Sequence, residues 1–110
     1  MTEKIKLVQG DTRPAILCTI TDSTDGAAVD ITGATPRLKF RAAGATELTA
    51  TVVGAVTDGP AGMCVFYPAT APEMLLGAAG DYEGEIEITF PDNQVQTVYD
   101  LLKFKIRGDF

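Results

Sequence analysis

Apolar and polar residues alternate along several short stretches of this chain. The clearest stretch spans residues 82–90, where three glutamates and a threonine separate Tyr82, Gly84, Ile86, Ile88 and Phe90. Side chains of a β-strand point alternately to its two faces. The pattern therefore predicts a strand with one face in the core and the other in water.

Basic residues occupy the polar positions of a second alternating stretch. Arg37, Lys39 and Arg41 are separated by Leu38 and Phe40. In a strand the three basic side chains share one face and the two apolar side chains share the other. We interpret the basic side as a solvated strand face, with a phosphate contact as the alternative.

Turn-forming residues divide the chain into short segments. Clusters that contain Gly, Pro, Asn or Asp lie at residues 9–11, 22–26, 58–62 and 91–93. Only residues 70–79 predict a short helical turn, with Thr70 as a cap and Pro72 in the first turn. The other segments predict roughly seven or eight strands with turns every 8–12 residues, the pattern of a sandwich or barrel. Parallel pairing would need crossover helices, so we expect an all-β fold of two packed antiparallel sheets.

Composition and charge narrow the class of protein. The 110 residues predict a single domain over residues 1–110. The net charge of −6 lacks the basic bias of nucleic-acid binders, and no apolar run is long enough to predict a membrane span or a signal peptide. Cys18 and Cys64 lie in apolar runs and predict buried thiols, since a disulfide needs an oxidising compartment.

The search for catalytic chemistry finds little. Histidine is absent, which excludes the usual Ser-His-Asp and Cys-His arrangements. Glu83, Glu85 and Glu87 have a spacing of roughly 7 Å that a glycosidase could use, but the pattern predicts a solvated strand face. The aspartates at 22, 25 and 30 do not match a calcium-binding loop. We therefore expect a protein that is not an enzyme and uses no cofactor or metal.

Three residues are candidate contacts for a partner. Asp11 and Arg13 belong to a compact polar cluster before Pro14, for which a simple turn is the alternative interpretation. Phe110 lies beyond the last alternating segment, where a frayed end is the alternative.

A series of short motifs extends over almost the whole chain. Their order and spacing are more specific than any single motif: Gln9–Pro14, Val29–Ala34, Leu38 with Phe40, Gly62–Tyr67, Ala79–Tyr82, Glu85–Ile88 and Phe90–Asn93. The series resembles the N-terminal domain of phage baseplate upper proteins and related small tailed-phage and prophage proteins. The resemblance implies an immunoglobulin-like β-sandwich that takes part in virion assembly, with no catalytic residues.

The resulting hypothesis is a phage or prophage structural protein of the tail, baseplate or neck. We expect it to be made in the bacterial host cytoplasm and to end in the virion. Its expected partners are other tail or baseplate proteins, with a homo-oligomer as a further candidate; neither nucleic acid nor a membrane is expected. Because the chain ends at Phe110, any receptor-binding part should be a separate protein. The alternatives are a carbohydrate- or ligand-binding β-sandwich, which would need exposed aromatic residues, and a small carboxylate hydrolase.

Overall fold

A computed structural model describes residues 4–11, 13, 15–22, 24–98 and 101–108. These residues form nine short strands: β1 (Lys4–Val8), β2 (Ile16–Thr19), β3 (Thr35–Ala42), β4 (Ala50–Val53), β5 (Ala55–Asp58), β6 (Met63–Phe66), β7 (Gly80–Thr89), β8 (Val95–Thr97) and β9 (Leu102–Arg107). The all-β class is confirmed. The number of strands exceeds the predicted seven or eight, because residues 48–56, whose β-rich composition predicts one strand broken locally at Gly54, contribute to two strands, β4 and β5.

The strands form two sheets of unequal size. The large sheet has the order β1-β9-β7-β3-β4, and the small sheet has the order β2-β6-β5. Strand β3 pairs with one edge of β7, while β9 and β8 pair with successive parts of its other edge. All pairs are antiparallel except β1 with β9, which is parallel and departs from the expected antiparallel arrangement. No crossover helix is needed there, because the two strands come from opposite ends of the chain.

Gly54 explains why one predicted strand became two. It joins β4 in the large sheet to β5 in the small sheet. A Cβ at this position would lie 2.7 Å from the ring of Phe66 and from the carbonyl oxygen of Val65. Only glycine lets the chain cross between the sheets so close to β6.

The short helical turn predicted within residues 70–79 is present as the 3-10 turn Pro72–Leu75, and another 3-10 turn, Pro68–Thr70, precedes it. Thr70 ends the first turn and donates its hydroxyl proton to the carbonyl oxygen of Tyr67 at 2.8 Å, so it does not cap a longer helix. Proline within the segment removes a backbone donor and interrupts a continuous helix.

One hydrophobic core joins the two sheets and the 3-10 turns. It contains Phe40 and Phe104 from the large sheet, Phe66 from the small sheet, and Met74 and Leu75 from the second 3-10 turn, all at most 1% exposed. Because both sheets face this core, the fold is a β-sandwich. Among the described residues, no helix is long and apolar enough to cross a bilayer.

Candidate protein interaction surface

The outer faces of the two sheets have opposite chemical character. On the large sheet, the polar positions of β3, β7 and β9 carry opposite charges in neighbouring strands. We call this surface the ion-pair face. It consists of Lys39, Arg41, Asp81, Glu83, Glu87, Lys103 and Lys105.

Glu83 is the centre of the ion-pair face. Its Oε1 lies 2.8 Å from Nη2 of Arg41 on β3, and its Oε2 lies 3.3 Å from Nζ of Lys103 on β9. The hydrogen bond from Arg41 is the main cause that lowers the pKa of Glu83, and the bond from Lys103 adds to it. The general acid of a glycosidase needs a raised pKa, so the shift opposes that role for Glu83.

The remaining ion pairs extend along the same strands. Nζ of Lys39 lies 2.7 Å from Oε2 of Glu87, and that hydrogen bond raises the pKa of Lys39. Lys105 lies 3.7 Å from Asp81. Basic and acidic side chains thus largely neutralise one another here. The polar face predicted for β3 and β7 is present, but Glu83 is only 9% exposed, so at this position the prediction of a solvated side chain is wrong. The pairing of the glutamates with the basic residues of β3 was not predicted from the sequence.

The three aspartates that do not match a calcium-binding loop stabilise local turns. Asp22, Asp25 and Asp30 each accept a hydrogen bond from the backbone N–H two residues later. Asp30 also accepts the hydroxyl proton of Thr32 at 2.6 Å, and this bond is the main cause of its lowered pKa. Within the described part of the chain, no three metal-ligating side chains come together.

The outer face of the small sheet is mostly apolar, with Thr19 of β2 as an exposed polar residue opposite Met63. Leu17 on β2, Val65 on β6 and Ala55 on β5 lie side by side in register, and Met63 precedes Val65 on the same face. We call Leu17, Ala55, Met63 and Val65 the apolar face. Leu17 is 72% exposed, Met63 is 41% exposed, and Tyr67, directly after β6, is 47% exposed.

Val65 shows that this face is distinct from the core. Its side chain is only 2% exposed, yet it is not a member of the core cluster to which its neighbours Cys64 and Phe66 belong. The buried Val65 is thus flanked by exposed apolar side chains on the outside of the sandwich. Asp58 of β5 is the one charged residue among these three strands.

A groove of about 530 Å³ adjoins the apolar face. It lies beside β2 and is lined by Leu17, Cys18, Ile20, Ile86, Val98 and Leu102, with several polar neighbours. Its volume is within the range of small-molecule sites. None of the described lining residues is aromatic.

The predicted contact residues lie elsewhere. Asp11 and Arg13 are exposed in the connection between β1 and β2, where the N–H of Asp11 donates to the carbonyl oxygen of Val8 at 3.3 Å. Phe110 lies outside the described residues. A role for these three residues stays a prediction.

Two continuously apolar stretches of the sequence indicate the apolar face, but we did not predict that face from them. The segments Ile16–Cys18 and Met63–Phe66 are continuously apolar, whereas the strands of the ion-pair face alternate. A strand that is apolar on both sides is typical of one that is covered on both sides.

The comparison with solved structures gives a match over nearly the whole fold. The N-terminal domain of ORF48 of phage TP901-1 superposes with a TM-score of 0.64 and 15% sequence identity, covering 98% of this chain and 86% of that one. The chain has the fold of this phage domain. The resemblance to a phage N-terminal domain is therefore confirmed at the level of fold. No protein-family model and no curated protein matches the chain.

Proposed function

We propose that the chain is a non-catalytic structural protein of a phage or prophage virion, a tail, baseplate or neck module that acts by binding other tail or baseplate proteins. The shared fold supports a phage origin. The apolar face is the observation that supports the binding role, because Leu17 and Met63 are exposed apolar side chains that a partner could cover at the core of an interface.

The chemistry of the surface indicates what kind of partner fits it. Leu17 and Met63 have no charged neighbour on the apolar face apart from Asp58 at its rim. A charged partner surface would lose hydration there without gaining an ion pair. We therefore assign the apolar face to a tail or baseplate protein that presents an uncharged, apolar surface.

The size of the apolar face favours such a partner over a second copy. Three strands about 4.8 Å apart and four residues long span about 200 Å² of sheet. A stable interface buries about 800 Å² on each partner. Two copies stacked through this face alone would fall well short, whereas another protein can extend its contacts beyond the sheet.

The test compares two exposed leucines in the phage or prophage that encodes the chain. Leu17 is 72% exposed on the apolar face, and Leu76 is 70% exposed after the second 3-10 turn, outside the small sheet. Leu17→Glu should reduce the amount of the chain in purified particles by at least about tenfold. Leu76→Glu should leave it unchanged. Circular dichroism melts of both purified variants establish that they fold.

The outcomes test the virion role and the choice of the apolar face as binding surface separately. Absence of the wild-type chain from purified particles would exclude the virion role. Wild-type levels of Leu17→Glu in particles would exclude the apolar face but leave the role intact. Light scattering of the isolated chain tests the homo-oligomer: a discrete assembly that Leu17→Glu dissociates would identify a second copy as the occupant.

A further inference from the structure

The only two cysteines of the chain lie directly opposite each other in the small sheet. Cys18 on β2 and Cys64 on β6 are register partners of one antiparallel ladder, although 46 positions separate them in sequence. Cys64 belongs to the hydrophobic core, and Cys18 packs against it, so both side chains are on the inner face. The structure has both as free thiols.

The spacing of such a pair suits a disulfide. Opposite residues in an antiparallel ladder have Cα atoms about 4.5–5.5 Å apart. Disulfides span Cα distances of about 4.4–6.8 Å. The register therefore brings the Cα atoms of Cys18 and Cys64 into the range that a disulfide spans.

The two thiols differ in their access to solvent. Cys64 is 1% exposed, whereas Cys18 is partly exposed and lines the groove beside β2. A small reagent that enters the groove meets Cys18 first. We propose that Cys18 and Cys64 are a modification site, a cross-strand dithiol that a small-molecule disulfide oxidises to an intramolecular disulfide through Cys18.

The reaction is an exchange in two steps. The Cys18 thiolate attacks one sulfur of the small disulfide, forming a mixed disulfide and releasing one small thiol. The Cys64 thiolate then attacks the Cys18 sulfur, forming the Cys18–Cys64 bond and releasing the second small thiol. The protein loses two electrons, the small disulfide gains them, and the two protein protons end on the released thiols.

Burial makes this site slow. It raises the pKa of Cys18 to about 12, with a smaller contribution from Cys64, and it also raises the pKa of Cys64. Since only the thiolate attacks, the rate should rise roughly tenfold for each pH unit through the neutral and mildly basic range.

The bond would fix an edge of the sandwich. Among the described strands, β2 pairs only with β6, so the ladder with β6 is what holds it in the sheet. A disulfide across that ladder would keep β2 in place. The chemistry of this disulfide does not depend on the proposed function. The moment at which it would form does, because a virion protein leaves the reducing cytoplasm when the host lyses.

The test uses the whole folded chain with oxidised glutathione as the probe. The protein is incubated with a large excess of oxidised glutathione at about pH 9 until the reaction stops, because the raised pKa of Cys18 slows exchange at lower pH. It is then treated with N-ethylmaleimide in denaturant and weighed by mass spectrometry. The wild-type chain should lose two hydrogens and take up no maleimide. Its melting temperature should rise by about 10 °C, because the bond closes a loop of 46 positions.

Two single variants report on the order of events. Cys64→Ala should stop at a glutathione adduct on Cys18, whereas Cys18→Ala should remain unmodified while folded. The proposal is overturned if the folded wild-type chain keeps two thiols that react with maleimide, accumulates stable glutathione adducts, or forms cross-linked dimers. The wild-type result decides the matter even if a variant fails to fold.

Discussion

A single methyl group on Gly84 should destabilise the domain, although strand propensity predicts the opposite. Gly84 occupies a core-facing position near the middle of β7, opposite Phe40 on β3 and Leu102 on β9. An alanine Cβ there would lie 2.7 Å from Cδ1 of Leu38 and 2.9 Å from Cε2 of Phe104. Both side chains are completely buried and cannot move into solvent.

The two effects of Gly84→Ala differ in size. Removing a glycine from a strand interior gains about 0.5–1 kcal/mol. Overfilling a packed core costs about 1–3 kcal/mol. The net effect should be a loss of about 1–2 kcal/mol in the free energy of unfolding, or about 4–8 °C in melting temperature.

Urea denaturation with a common m-value measures this change. Leu38→Val removes the nearer of the two atoms that the new methyl group would meet, while Cε2 of Phe104 remains, so the double variant should lose less than the sum of the two single losses. Gly108→Ala is the control, because a Cβ at Gly108 would lie 3.4 Å from its nearest neighbour, Oε1 of Gln9, which is an ordinary van der Waals contact. A Gly84→Ala protein as stable as the wild type would refute the reasoning.

Three further substitutions test individual contacts. Glu83→Gln should be less stable than the wild type at pH 7, and the difference in the free energy of unfolding should vanish as the pH falls through the lowered pKa of Glu83. Urea titrations at pH 7 and at acid pH measure this difference. A difference that persists in acid would contradict the contribution of the ion pairs. Thr32→Ala should raise the pKa of Asp30 toward its ordinary value, because the hydroxyl bond is the main cause of the shift; carboxyl NMR would show no change if the bond is unimportant. Gly62→Ala should cost about 2 kcal/mol or more, because φ is +71° and the new Cβ would lie 2.5 Å from the carbonyl oxygen of Ile20. A thermal melt unchanged from the wild type would contradict this.

The alternation of apolar and polar residues predicts where the strands lie in the sequence, but it does not predict which strands pair with each other. The alternation in residues 82–90 predicted β7 and its buried face, and the turn at residues 91–93 predicted the hairpin with β8. The partnership of β3 with β7, which provides two of the four ion pairs of the ion-pair face, is set by pairing across 40 to 54 positions of sequence. No periodicity within a strand encodes that choice.

The apolar face and the cysteine pair were out of reach for the same reason. Leu17 could be placed on the face opposite Ile16 and Cys18 from alternation alone, and the structure confirms this. That Leu17 lies beside Val65, and Cys18 beside Cys64, follows only from the register of β2 on β6. Two residues in apolar runs far apart in sequence therefore looked like unrelated core positions.

The parallel pairing of β1 with β9 has a consequence for synthesis. Lys4 lies beside Lys103, so 99 positions of chain must be made before the first pair of this ladder can form. At about 5–20 residues per second, that delay is on the order of 5–20 seconds. Throughout it, β1 has no partner strand, and Leu7, which is 7% exposed in the finished domain, has no sheet to cover it. Residues 4–8 therefore stay without their β9 partner until almost the whole of this sequence has been made.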